Sequence, residues 1–204
     1  MLGSLQARGE LPSQLSGPPR SMRGYLLTAN LALAELAAGR GAEAEALIRR
    51  VLLPDDASAF RRHSILAMAL MQQGRSAEAL AEFERADRAA QRDFGEFSGN
   101  RHRVLREQGW ALLQAGQAHE AVRALRLALR CAQEGEAGSP AAAMTRSRLA
   151  EALAAIGAGA EAAAEHRAAL ELATALEADG DPAGLRLIRE RHDAFLARFP
   201  AARS

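Results

Sequence analysis

The sequence predicts an all-α fold, an α-solenoid of four helical hairpins closed by a C-terminal capping helix. Three observations predict it. Four segments share the order apolar run, glycine, Glu-Ala pair and second apolar run, as in "LAMALMQQGRSAEALAEFERA" at 66–86. Their glycines, Gly39, Gly74, Gly116 and Gly157, are spaced by 35, 42 and 41 residues, a period typical of solenoids. Apolar residues make up 49% of the chain but aromatic residues only 4%, as in closely stacked helices.

The same spacing of residues surrounds each of these glycines. A small residue lies seven positions before the glycine, and a glutamate and an alanine lie four and five positions after it. Small residues let two helices approach closely, and glycine tolerates the left-handed backbone that ends a helix. The glutamate then falls in the first turn of the next helix, where the helix dipole favours negative charge. These residues are Ala32, Ala67, Gly109 and Ala150; Glu43, Glu78, Glu120 and Glu161; and Ala44, Ala79, Ala121 and Ala162.

A large apolar residue follows four positions after the alanine in three of the hairpins. It is Ile48, Phe83 or Leu125, whereas His166 takes this place in the fourth hairpin. Because no hairpin can bury both of its apolar faces alone, stacking of neighbouring hairpins completes the core. We therefore expect the fourth hairpin to be the weaker end of the array.

This pattern resembles the tetratricopeptide repeat family over residues 24 to about 178, most closely in the second and third repeats. The longer period, with "GSP" before the fourth hairpin, is similar to the extended variety of kinesin light chain and of many bacterial regulatory proteins. The resemblance implies a right-handed solenoid. "LLPDD" at 52–56 matches the family's habit of closing a unit with proline, whereas Glu35 stands where the family usually has a large apolar residue.

The elements are expected in the following order along the chain. Residues 1–20, rich in Gly, Pro, Ser and Gln, predict a disordered leader before a solenoid at 21–199. Ser139-Pro140 and Asp181-Pro182 are typical helix starts. The predicted hairpins span about 21–54, 56–94, 99–135 and 139–179.

A ninth, capping helix is predicted at about 182–199. One face carries Leu185, Ile188, Phe195 and Phe199, whereas charged residues lie elsewhere on it. Such a one-sided helix closes the last interface of a solenoid, so we interpret it as the completed C-terminus.

Charge and hydropathy disfavour several classes of partner. The net charge is only +1, so the chain has no overall electrostatic attraction to nucleic acid or to an anionic membrane. No signal peptide is recognisable, and no run of eighteen apolar residues could span a bilayer. We therefore expect a soluble cytoplasmic protein that binds neither nucleic acid nor membranes.

The sequence offers no catalytic, metal or cofactor site. Its five histidines are scattered without metal-binding spacing, and no glycine-rich phosphate loop follows a predicted strand. Cys131 is the single cysteine and lies in an alanine- and leucine-rich segment, so we interpret it as a small buried hydrophobe. Enzymatic activity is not expected.

The resemblance implies that the first helix of each hairpin lines a concave surface where partners bind. Arg106 and Trp110 could instead stack on each other, and Met68 could belong to the core. Asn30 and Asn100 fall outside these positions, which argues against recognition of a peptide backbone through asparagines. The candidate partner-binding residues are Arg61, Met68 and Met71 in the second hairpin, and Arg103, Arg106, Trp110 and Leu113 in the third. The matching positions are Leu26, Ala29, Leu33 and Leu36 in the first hairpin, Ser64 in the second, and Met144, Ser147, Glu151 and Ala154 in the fourth.

The predicted function is a protein-interaction scaffold that binds a peptide or helix of a partner. An acidic segment with an apolar anchor would suit these basic and apolar side chains. The alternative is a regulatory or sensory module of a larger bacterial signalling system, such as a kinase or a transcription regulator. Self-association through an end of the array is a third possibility.

Overall fold

The computed structural model describes residues 22–51, 58–133 and 139–178, and seven further positions between 186 and 197. Eight continuous helices and no strand are formed by these residues, which confirms the predicted all-α class. The predicted leader and much of the predicted capping helix lie outside them. The helices are α1 Met22–Ala37, α2 Gly41–Arg49, α3 Ala59–Gln72, α4 Ser76–Phe94, α5 Gly99–Gln114, α6 Ala118–Gln133, α7 Pro140–Ala155 and α8 Gly159–Ala178.

The same backbone joint connects the two helices of each hairpin. Gly39 has a φ of 75°; its N–H donates to Leu36 O at 3.0 Å, and the N–H of Arg40 donates to Glu35 O at 2.9 Å. This pair of bonds is the Schellman motif, which favours glycine because its φ is positive. Arg40 O then accepts the N–H of Ala44 and so begins the next helix. The pattern recurs at Gly74, Gly116 and Gly157, with φ values of 74°, 77° and 81°.

Residues at the repeated small and apolar positions are buried in the hairpins. The exposed fraction is 0% at Ala32, Ala67 and Ala150, and at all four alanines that follow the glycines. His166 is also fully buried, at the position that Ile48, Phe83 and Leu125 fill in the other hairpins. The fourth hairpin therefore places a polar ring where the other three place apolar groups.

Glu35, which departs from the family pattern, is buried as part of the first joint. Its exposed fraction is 5%, and its carboxylate accepts a hydrogen bond from Arg40 Nε. Because Arg40 belongs to the joint that follows α1, this ion pair satisfies the buried carboxylate locally.

Gly109 marks the closest approach between α5 and α6. A Cβ atom at this position would lie 2.5 Å from Leu125 Cγ, which is shorter than any van der Waals contact. The third hairpin therefore needs a residue without a side chain here, where the other hairpins have alanine.

We expect Gly109→Ala to lower the free energy of unfolding by about 2 kcal/mol, because overpacking against Leu125 outweighs the gain in helix propensity. Urea titration of both proteins measures the difference. Gly159→Ala is the matched control, since a Cβ at Gly159 would meet nothing within 4 Å. Equal or greater stability of Gly109→Ala would contradict the close approach.

The described residues divide into two compact units, with the boundary inside α4 between Ala86 and Asp87. In the first unit, α1 packs against both α2 and α3. A core that includes Tyr25, Ile48, Ile65 and Leu70 lies among these helices. In the second unit α6 and α7 pack against each other, α5 packs on both, and α8 packs on α7.

A buried arginine stabilises the N-terminal end of α5 in the second unit. The Arg101 side chain is 7% exposed, and its Nε and Nη2 donate to the two carboxylate oxygens of Asp87 at 2.7 and 3.2 Å. Its Nη1 donates to Glu96 O at 2.8 Å. Ser98 caps α5 by accepting the N–H of Arg101 at 3.3 Å. The end of α4 and the start of α5 are thus joined through one side chain.

Cys131 and Ile188 are both buried in the second unit. The Cys131 side chain is 3% exposed, as predicted, and burial raises the pKa of its thiol. Ile188 is 2% exposed and clusters with Ala143 of α7 and with Ala169 and Ala173 of α8. The neighbouring described positions 186, 189 and 190 are helical and exposed.

Candidate partner-binding surface

Helix α5 brings its four predicted site residues to one face. Arg103, Arg106, Trp110 and Leu113 follow a three-four-three spacing, which places their side chains on the same side of a helix. Arg103 is exposed, and the other three are half-buried. This α5 face is therefore accessible within the second unit.

The guanidinium of Arg148, from α7, lies over the ring of Trp110. Arg148 Cζ lies 5.4 Å from the centroid of the Trp110 ring, a favourable cation–π distance. Arg148 Nη1 also donates to Glu107 Oε2 at 2.9 Å and to Arg106 O at 3.3 Å. The cation over the indole is thus Arg148, whereas the sequence suggested Arg106.

Glu107 lies between two arginines of this face. Arg106 Nη2 is 3.0 Å from Glu107 Oε1, and Arg148 binds the other carboxylate oxygen. Burial alone would raise the pKa of Glu107, but the charges of Arg148 and Arg106 and their hydrogen bonds lower it below its ordinary value. The carboxylate stays ionised at neutral pH and offsets one of the two positive charges.

Sequence reasoning did not find Glu107 and Arg148. One of the inward positions that it assigned to α7 is Ser147, which is fully buried, whereas the neighbouring Arg148 extends toward α5. The sequence feature that could have indicated these ion pairs is Glu107 itself, a carboxylate directly after Arg106 and three positions before Trp110.

The first unit contains the other candidate residues, Arg61, Met68 and Met71. Of the matching positions in α1, Ala29 and Leu36 are buried in its core. Arg61 donates to Asn30 Oδ1 at 2.9 Å, so Asn30 lies next to one of the predicted site residues. Met68 and Met71 are partly buried and pack against the core of this unit. Met68 therefore contributes to the core, the second of the two roles considered for it.

A separate pocket of about 350 Å³ in the first unit has none of the predicted residues in its wall. Ile48, Val51 and Leu66 supply its apolar lining. On its polar side His63 Nδ1 lies 2.6 Å from Glu82 Oε2, which connects α3 to α4.

Two general site classes are not found in the described part of the chain. It holds no group of three or more His, Cys, Asp or Glu side chains that could bind a metal ion. None of its helices combines the length and the apolar character needed to cross a membrane.

The repeat spacing and the helix pairs match a known family. Residues 58–134 fit the family model described as tetratricopeptide repeat. This part of the chain is similar to tetratricopeptide repeats. The predicted family resemblance is confirmed, and the match covers α3 to α6 with both of the hairpins in which the sequence pattern is strongest.

Solved structures extend the likeness over most of the chain. TPR-like repeats of a Podosopora anserina protein described as a kinesin light chain align with a TM-score of 0.63 and 21% identity, over 85% of this chain and 95% of that one. BtubC (BKLC) from P. vanneervenii aligns with a TM-score of 0.66 and 20% identity, over 86% and 71%. MamA MSR-1 gives 0.53 and 20%, over 87% and 99%. At these identities the likeness concerns the fold, and it confirms the predicted solenoid class.

No match was found among curated proteins. Tetratricopeptide repeats in general are non-enzymatic scaffolds for protein–protein interaction.

Proposed function

We propose that the chain is a non-enzymatic scaffold that binds a peptide or helix of another protein along the first helices of its hairpins. The observation that carries the proposal is the α5 face. Its four predicted side chains share one side of the helix, and none of them is fully buried. A residue needed only for packing would be buried, whereas a binding residue must reach solvent.

The charges and apolar groups of the α5 face favour an acidic segment with a bulky apolar residue. Arg103 is exposed, and Arg106 and Arg148 together carry one positive charge more than Glu107. Positive groups on the rim accelerate association with acidic ligands, and apolar contact with Trp110 and Leu113 would supply most of the affinity. This proposed partner is the one that the sequence suggested.

Selection of displayed random peptides on the immobilised full chain tests the function. We expect the selected peptides to be enriched in Asp, Glu and one large apolar residue. Arg103→Ala should weaken their binding about threefold to tenfold, mainly through slower association, and should flatten the salt dependence. Its melting temperature should stay unchanged because Arg103 is exposed.

Arg123→Ala is the matched control, because Arg123 is a 73% exposed arginine on α6. It should leave peptide binding unchanged. Trp110→Ala should speed dissociation and cost about 2 kcal/mol of binding free energy. Binding that Arg103→Ala and Trp110→Ala both leave unaltered would refute the α5 face as the site.

A further inference from the structure

The pocket of about 350 Å³ in the first unit has an apolar wall supplied by core side chains. Ile48, Val51 and Leu66 line it, and all three belong to the buried core of this unit. Side chains in a packed core change position little, so the pocket is formed before any ligand arrives. Its volume is near the lower end of the range for small-molecule sites, roughly 300–1,000 Å³. The wall therefore suits a compact apolar group.

The polar side of the pocket contains one carboxylate, and both of its oxygens are already bound. Glu82 Oε2 lies 2.6 Å from His63 Nδ1, and Glu82 Oε1 accepts a hydrogen bond from Arg85 Nη1. Arg85 is outside the pocket wall and offsets the charge of Glu82 from there. The bond to Glu82 also fixes the His63 ring and leaves Nε2 as its second polar atom. The pocket thus presents little negative charge to a ligand.

Two arginines supply positive charge to the same pocket. Arg49 of α2 and Arg62 of α3 both line it. Arg49 donates to Glu45 through Nε at 2.7 Å, a bond that does not use its Nη1 and Nη2 groups. Glu45 also pairs with Arg75 at 2.8 Å, so this carboxylate is shared between two cations. Positive charge therefore exceeds negative charge on the polar side of the pocket.

An apolar wall beside an excess of positive charge is complementary to a molecule with one anionic group and an apolar body. The planar guanidinium group matches the two oxygens of a carboxylate and binds them through two parallel hydrogen bonds. A carboxylate carries a single negative charge, which suits the small positive excess of this pocket better than a doubly charged phosphate does.

We propose that this pocket binds a compact monocarboxylic acid, with its carboxylate toward the two arginines and its apolar body against the core side chains. The ligand is a small molecule, and the site uses only residues of the first unit. None of them belongs to the α5 face, so the proposal goes beyond the peptide-binding function and does not depend on it.

Titration of the isotope-labelled full chain with phenylbutyrate, followed by NMR, tests the proposal. We expect a dissociation constant on the order of 1 mM, since a ligand of about twelve heavy atoms gains only a modest binding free energy. The largest changes in amide chemical shift should occur at His63 and at the apolar wall, Ile48, Val51 and Leu66. Phenylbutanol and phenylbutylamine have the same apolar body without negative charge, and should bind at least about fivefold more weakly.

Arg49→Gln should raise the dissociation constant of phenylbutyrate about fivefold, because it removes one of the two positive charges. It should leave the dissociation constant of phenylbutanol unchanged, whereas a collapse of the pocket would weaken both ligands. The Arg49 side chain is 51% exposed, so the melting temperature should change little. Arg50→Gln is the matched control, since Arg50 is the next residue, is also exposed and lies outside the pocket wall. It should alter neither dissociation constant.

Several results would overturn the proposal. One is the absence of phenylbutyrate binding up to about ten times the expected dissociation constant. Another is an alcohol or an amine that binds as tightly as the acid, because the pocket would then take a different class of ligand. Chemical-shift changes confined to other helices would place the acid elsewhere on the chain. Equal weakening by Arg49→Gln and Arg50→Gln would indicate general attraction to surface charge instead of a defined site.

Discussion

Ile188→Asp is expected to lower the free energy of unfolding by about 4 kcal/mol, because it removes a buried apolar side chain and leaves a carboxylate among apolar neighbours. Ile188 is 2% exposed and clusters with Ala143, Ala169 and Ala173. Local unfolding should begin at this contact and extend to the adjacent helices, since each element of a repeat array is stabilised by its neighbours. Urea titration measures the loss, and hydrogen exchange should show the amides of α8 and α7 opening first.

Arg186→Asp introduces the same carboxylate two residues earlier, at an exposed position, and is the matched control. It should change stability by less than about 0.5 kcal/mol. If the Ile188→Asp chain loses protection first in α1 and α2, Ile188 does not act as a C-terminal cap. The other half of the predicted cap, Phe195, lies outside the described residues and its role stays a prediction.

Asp87→Ala is expected to destabilise the chain by about 3 kcal/mol, because it leaves the buried Arg101 guanidinium without its carboxylate partner. The Arg101 side chain is 7% exposed and that of Asp87 is 21% exposed, so solvent screens this pair only partly. Thermal or urea denaturation measures the loss. The α4–α5 connection should show the largest increase in hydrogen exchange, since Arg101 also binds Glu96 O there.

Two further variants test whether the Arg101–Asp87 ion pair behaves as a buried pair or as a surface pair. Asp93→Ala removes an ion-pair partner of the 58% exposed Arg92 on the same helix, and should cost less than about 0.5 kcal/mol. Arg101→Met combined with Asp87→Leu removes both charges and should be more stable than Asp87→Ala alone. A cost below about 1 kcal/mol for Asp87→Ala would instead place the pair among the weak surface pairs.

The hairpins could be predicted from the sequence because their determinants are local. A glycine at the joint, an alanine five residues later and a small residue seven residues earlier are each required by one helix end or one close contact. Gly109 illustrates this, since a small residue was expected there and the close approach of Leu125 leaves no room for a side chain. Such requirements recur with the repeat and are therefore visible in a single sequence.

The polar contacts of the α5 face could not be predicted in the same way. The Arg148 guanidinium reaches Trp110 and Glu107 from α7, about forty positions away in sequence, and its direction depends on the packing of α7 on α6 and α5. The pairing of Arg101 with Asp87 was also missed, because an arginine in a basic stretch is usually exposed. Spacing assigns a residue to a face, but it does not identify the partner of a long charged side chain.

The joint at each repeat glycine has the same main-chain hydrogen bonds, and glycine is the single residue type common to all four joints. The exposed side chains of the two helices take no part in these main-chain bonds, so they can be exchanged without breaking them. The backbone geometry of a hairpin and the side chains that would contact a partner can therefore change independently. A point mutation on the first helix of a hairpin can alter binding specificity while the architecture of the array is preserved. A hairpin from one such protein should accordingly be transferable to another as a unit, with its surface chemistry intact.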